Sequence, residues 1–95
     1  MIEKKLIVKS KQGLHARPGA LLVQMLSKYK SEVKIFKDDM EIDAKSVMSI
    51  LILAADCGSD LKFVINGEDE EEVSKELEKF FNSNFEEMIA NEKRT

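Results

Sequence analysis

The chain has 95 residues, 43% of them hydrophobic and 35% charged, and its 15 Lys and Arg against 18 Asp and Glu leave a formal charge of −3. That length supports one domain with one modest core. No apolar run approaches the ~20 residues needed to cross a membrane, and residues 6–8 are too short a run for the centre of a signal peptide. A cytoplasmic protein without direct membrane binding is therefore expected. The acidic balance argues against nucleic-acid binding, which calls for a basic face. One cysteine, Cys57, excludes an internal disulfide and a cysteine-rich zinc site. One histidine, His15, excludes a multi-histidine metal centre, and no metal or cofactor is expected.

In chain order, residues 2–9 read as a strand, with Leu6 and Val8 on one face and Lys5 and Ile7 on the other. Residues 16–29 read as a helix, because Leu22, Met25, Leu26 and Tyr29 recur at helical spacing. Residues 32–37 alternate around Val33 and Ile35, Asp38-Asp39 makes a tight turn, and Met40 and Ile42 alternate in a short partner strand. Residues 46–55 form a helix that is apolar nearly all round, with Ile50, Leu53 and Ala54 expected in the core. Residues 61–66 give a fourth strand with Leu61, Phe63 and Ile65 on one face. From about Asp69, Val73, Leu77, Phe80, Phe81 and Phe85 fall on one helical stripe, which Met88 and Ile89 extend. The acidic residues 68–72 sit at the start of that helix, where its dipole favours negative charge.

The order βαββαβα predicts a two-layer α/β stack of the α+β class, with three helices on one face of a four-stranded, mainly antiparallel sheet. Lys5, Lys34, Lys37 and Lys62 are expected on the face that meets water. One domain is expected over residues 1–88, followed by a tail, 89–95.

The lone histidine lies in the run Gly13-Leu14-His15-Ala16-Arg17-Pro18, at a strand-to-helix junction. Gly13 allows a sharp turn, and Pro18 suits a first helical turn, where a missing N–H costs nothing. The helix N-terminus favours an anion and disfavours an imidazolium. Arg17 offers a planar guanidinium for phosphoryl oxygens. The pattern fits an imidazole that accepts a phosphoryl group delivered and removed by other proteins, a carrier rather than a stand-alone catalyst. There is no Walker-type loop to bind a nucleotide. By pattern alone, a histidine at a helix start is more often a cap or a surface residue.

This run, followed thirty residues later by Ala44-Lys45-Ser46-Val47-Met48, resembles the HPr family of histidine-containing phosphocarriers of the phosphoenolpyruvate-dependent sugar phosphotransferase system. The resemblance spans about residues 2–85. It implies an open-faced β-sandwich, phosphorylation of His15 on Nδ1 by enzyme I, transfer to sugar-specific IIA domains, and a phosphoryl-stabilising role for Arg17. It also implies that Ser46, which reads locally as a helix N-cap, matches a serine that HPr kinase/phosphorylase modifies in many Gram-positive and some other bacteria. Gly19, Ser49, Leu51, Ile52, Ala54 and Asp56-Cys57 depart from the family's commonest pattern.

Leu21 and Gln24 fall on the helical face of Arg17, and Val47, Met48 and Leu51 are expected to join Leu21 in an exposed apolar patch used for docking. A monomer is expected. A competing reading makes the chain a regulatory interaction module that binds transcriptional regulators or enzymes according to Ser46 phosphorylation, without sugar transport. A weaker third reading is a plain two-layer ligand-binding domain.

Overall fold

Alternating apolar and polar side chains sort the strands into one sheet with unlike faces. The computed structural model describes residues 1–82, as β1 (Ile2–Ile7), α1 (Ala16–Leu26), β2 (Glu32–Lys37), β3 (Met40–Asp43), α2 (Val47–Leu53), β4 (Asp60–Asn66) and α3 (Glu70–Asn82). The strands lie in the order β1-β4-β2-β3, with every neighbouring pair antiparallel. The expected element order and architecture are both present. The expected domain end at 88, with Phe85, Met88, Ile89 and the tail, lies outside the described residues.

On the helical side, Val33, Ile35, Leu61, Phe63 and Ile65 are buried beneath Leu22 and Leu26 of α1, Ile50 and Leu53 of α2, and Val73, Leu77, Phe80 and Phe81 of α3. Phe63 meets Phe81 edge-on, with ring centroids 5.4 Å apart, a geometry the ring quadrupoles favour. The opposite face is a carpet of charge. The register aligns Lys5, Lys62, Phe36 and Glu41 across the four strands. Lys62 Nζ lies 5.0 Å from the Phe36 ring centre, and Lys34 pairs with Glu41 at 3.5 Å. Such exposed pairs contribute little stability each; they let one face of the sheet stay in water.

Several expectations need correction. Lys37 shares its parity with Val33 and Ile35, so it belongs to the helical side, where the strand's end leaves it half-buried rather than on the open face. β1 stops at Ile7, because Val8 exchanges its backbone bonds with the loop before β4 instead: its N–H donates to the Ser59 carbonyl at 3.0 Å and its carbonyl accepts from the Gly58 N–H at 2.7 Å. α1 ends at Leu26 rather than Tyr29, although the Tyr29 N–H still donates to the Leu26 carbonyl at 3.1 Å. Beyond it, Lys45 Nζ donates to the Tyr29 carbonyl at 2.8 Å, which anchors the segment leading into α2. Ala54 is exposed, not core: it is the residue after α2 and takes the left-handed conformation, φ +49 and ψ +49, that turns the chain out of the helix.

A polar clasp closes the end of the sheet away from His15. The Asp69 carboxylate accepts the N–H groups of Lys30 at 2.8 Å and Ser31 at 2.9 Å, as well as the Ser31 hydroxyl. Ser31 is fully buried, so without this acceptor its polar groups would be stranded. The Ser31 hydroxyl, followed by the Lys30 N–H, holds the Asp69 carboxyl below its ordinary value. A carboxyl with a lowered native pKa stabilises the fold above its unfolded pKa of about 3.9 and loses that contribution as pH falls through the lowered native value. Asp69→Ala should therefore lower the thermal midpoint at pH 7, and the gap from the parent chain should shrink as the pH is taken from about 5 to about 2. Thermal melts of both chains across that range check it.

Candidate functional site

The site begins with a backbone turn. Gly13 takes φ +74, and its N–H donates to the Ser10 carbonyl at 3.0 Å. A Cβ at this position would lie 2.5 Å from the Ala55 carbonyl oxygen and 3.0 Å from Asp56 Cα, so both the conformation and the space call for glycine. The next residue, Leu14, is buried, and its N–H donates to that same Ala55 carbonyl at 2.8 Å. His15 follows as the N-cap of α1, with extended backbone (φ −84, ψ −168) and a carbonyl that accepts the Gly19 N–H at 2.8 Å.

The imidazole makes no capping hydrogen bond and is half-buried. The local pattern thus placed the backbone of His15 correctly as an N-cap, while the side chain does not act as one. Arg17 is exposed in the first turn of α1, and Pro18 is buried. A first turn has N–H groups for which the helix supplies no acceptor, and Pro18 removes one of them. An imidazole at this end, with a guanidinium two residues on, has the components to accept an anionic group and balance its charge.

α2 lies beside this end. Gly19 of α1 comes close to α2: a Cβ there would stand 3.1 Å from Ile50 Cγ2, a tight contact that the Ile50 side chain would have to ease by a few tenths of an ångström. Ser46 is the N-cap of α2, and its hydroxyl accepts the Ser49 N–H at 3.3 Å. Met48 is 69% exposed and Leu51 40%, Val47 is half-buried, and Gln24 on α1 is exposed. Leu21 is half-buried and packed against the core rather than exposed, because it precedes Leu22 on the flank of the buried stripe.

Ile52, 64% exposed, is the apolar residue that the sequence reading left out of the patch. It stands four residues after Met48, the spacing that puts two side chains on one helical face. Cys57 is exposed, with its Sγ 3.6 Å from the Lys9 carbonyl. A hollow of about 540 Å³ on the open sheet face is lined by Lys5, Phe36, Asp38, Asp60, Leu61 and Lys62, and none of the site residues borders it. Among the described residues no cluster of three His, Cys, Asp or Glu could hold a metal, and no helix is long and apolar enough to cross a membrane.

Comparison with known proteins decides the family. Residues 2–83 match the family model described as "PTS HPr component phosphorylation site". The chain belongs to the HPr family of phosphocarriers. It is 39% identical over 87 residues to the phosphocarrier protein HPr of Treponema pallidum, covering 92% of this chain and 99% of the relative. It is 43% identical over 77 residues to the HPr-like protein Crh of Halalkalibacterium halodurans, covering 81% and 92%. The crystal structure of HPr-C-His from Thermoanaerobacter tengcongensis superposes with a TM-score of 0.86 at 42% identity, covering 90% of this chain and 96% of that one. The four antiparallel strands and three helices are therefore the open-faced sandwich of this family.

The crowding at Gly13 sets a prediction. Gly13→Ala should destabilise the fold by more than the ~1–2 kcal/mol of a left-handed L-residue, since the added methyl also meets the Ala55 carbonyl. The midpoint of urea unfolding checks it.

Proposed function

We propose that His15 takes a phosphoryl group from phosphorylated enzyme I, holds it as a phosphohistidine and passes it to the IIA domains of sugar permeases in the cytoplasm. The observation that carries this reading is the N-cap imidazole that makes no capping bond, so its ring is not committed to holding the helix. A ring-nitrogen lone pair forms the bond to phosphorus while the donor's bond to phosphorus breaks and the donor leaves with that electron pair. Arg17 and the amide end of α1 balance the charge that arrives. Nδ1 is the atom that family membership favours.

The patch of Met48, Leu51 and Ile52, with Val47, Leu21 and Gln24 at its margins, is the docking surface. Fully burying an exposed side chain of this kind is worth about 1.5–3 kcal/mol. Covering Met48, Ile52 and Leu51, which are 69%, 64% and 40% exposed, gives correspondingly less for each, before the costs of association are subtracted. That suits a carrier that must leave each partner after transfer. The regulatory alternative has relatives of the Crh name in its favour, but a module that only binds has no need of the imidazole, and transfer is the better-supported reading.

Ser46 is the proposed second phosphorylation site, for a kinase of the HPr kinase/phosphorylase type. Its hydroxyl caps α2 beside Val47 and Met48, so a phosphate there would add a charge of about −2 inside the docking patch.

Two measurements test these assignments. With phosphoenolpyruvate and enzyme I, the chain should gain an acid-labile mass of about 80 Da, one phosphoryl group, and His15→Ala should gain none. An acid-stable adduct, or labelling that survives His15→Ala, would remove His15 from the role. Ser46→Asp should remain folded by circular dichroism yet accept the phosphoryl group at least about tenfold more slowly, the rate equivalent of about 1.4 kcal/mol. Acceptance at the parental rate would exclude Ser46 as a switch.

A further inference from the structure

His15, Arg17 and the exposed side of α2 carry the proposed chemistry, yet they are joined through backbone that neither motif describes. Ala54 follows the last residue of α2 at φ +49 and ψ +49, a conformation that costs a residue with a Cβ. Its side chain is exposed, so burial of the methyl does not hold it there. The turn gives direction. One residue later, the Ala55 carbonyl accepts the Leu14 N–H at 2.8 Å and forms the wall behind Gly13. Leu14 is 2% exposed and is bonded directly to His15. A continuous path therefore runs from the end of α2 through the Ala54 turn, the Ala55 carbonyl and the Leu14 amide to His15.

We infer that Ala54 is a positioning residue for His15: its left-handed turn sets the place of the imidazole relative to the docking face of α2. A partner seated on Met48, Leu51 and Ile52 then meets the ring at reacting distance. The inference rests on the phosphocarrier reading for its consequence in catalysis, while the structural link stands on the geometry alone. Phosphoryl transfer depends on alignment, and a misplacement of ~1 Å can cost about 10²-fold in rate.

Left-handed backbone ranks the test substitutions. Glycine adopts it without strain, asparagine tolerates it, and a β-branched residue is disfavoured most. Ala54→Val should lower the rate of phosphoryl acceptance at saturating phospho-enzyme I by about tenfold or more, with the half-saturating concentration unchanged. Ala54→Asn and Ala54→Gly should keep the parental rate. Hydrogen exchange at the Leu14 amide, measured without any phosphoryl donor and relative to Phe63 in β4, should be faster in Ala54→Val and slower in Ala54→Gly than in the parent.

A loss confined to the half-saturating concentration would overturn the inference, because Ala54 would then only touch the partner. Unchanged Leu14 exchange in Ala54→Gly would overturn it even if Ala54→Val failed to fold. Should the parent chain itself take no phosphoryl group, the phosphocarrier reading fails, and the exchange ratios alone decide the link from Ala54 to His15.

Discussion

The carbonyl of Ala55 is the point on which the site turns. It receives the Leu14 N–H and leaves no room for a side chain on Gly13, so it joins two segments distant in sequence through backbone atoms alone. Backbone contacts of this kind survive most changes of side chain. Buried amides and carbonyls must find partners, and here the partners of residues 8–14 come largely from the loop between α2 and β4: Ser59 and Gly58 for Val8, Ala55 for Leu14. His15 thus rests on a platform that α2 and β4 hold from opposite ends.

The two ends of the sheet are built differently. At the end remote from His15, side chains do the joining: Asp69 gathers Lys30 and Ser31, and Glu70 accepts the Gly67 N–H at 3.1 Å. These are carboxylate contacts, and acid weakens them. At the His15 end the ties between loops are mainly backbone amides and carbonyls, with the Cys57 thiol on the Lys9 carbonyl as a side-chain addition. Peptide groups carry no net charge, so these backbone ties would not respond to the phosphoryl charge of the proposed function.

Much of this was legible in the sequence, for identifiable reasons. Period-two alternation set the strands, and the near-unbroken apolar run 47–54 marked α2 as a helix with more apolar surface than one core face requires. Gly13 and Pro18 marked the start of α1 because each has a local backbone preference, and His15 falls between them. What periodicity does not carry is the place where a pattern ends. Ala54 reads as one more apolar helical residue, but it stands where the chain reverses, and no side-chain property announces that. Val8 reads as strand because its side chain is buried, as a strand residue's would be, while its backbone bonds go to a loop. Lys37 reads as solvent-facing by charge, although parity puts it with Val33 and Ile35; a long aliphatic stem lets it sit half-buried at the end of its strand. The Lys45 ammonium contact gave no local signal, since the carbonyl it reaches lies sixteen residues away.

The exposed apolar face of α2 then follows from length and neighbours. A seven-residue helix makes barely two turns, and its sheet-facing side is filled by Ile50 and Leu53. Met48 and Ile52 point away from that side, where the described chain has nothing to cover them. Polar residues there would raise solubility, and Ser49 shows that the helix tolerates one. An exposed apolar group on one short helix is the kind of surface that an interaction partner covers. The same short helix ends at the Ala54 turn, so its exposed apolar face and the Ala55 carbonyl that holds the Leu14 amide lie on one continuous stretch of chain. In the function proposed above, a partner seated on that face is therefore referred to the same backbone that leads to His15.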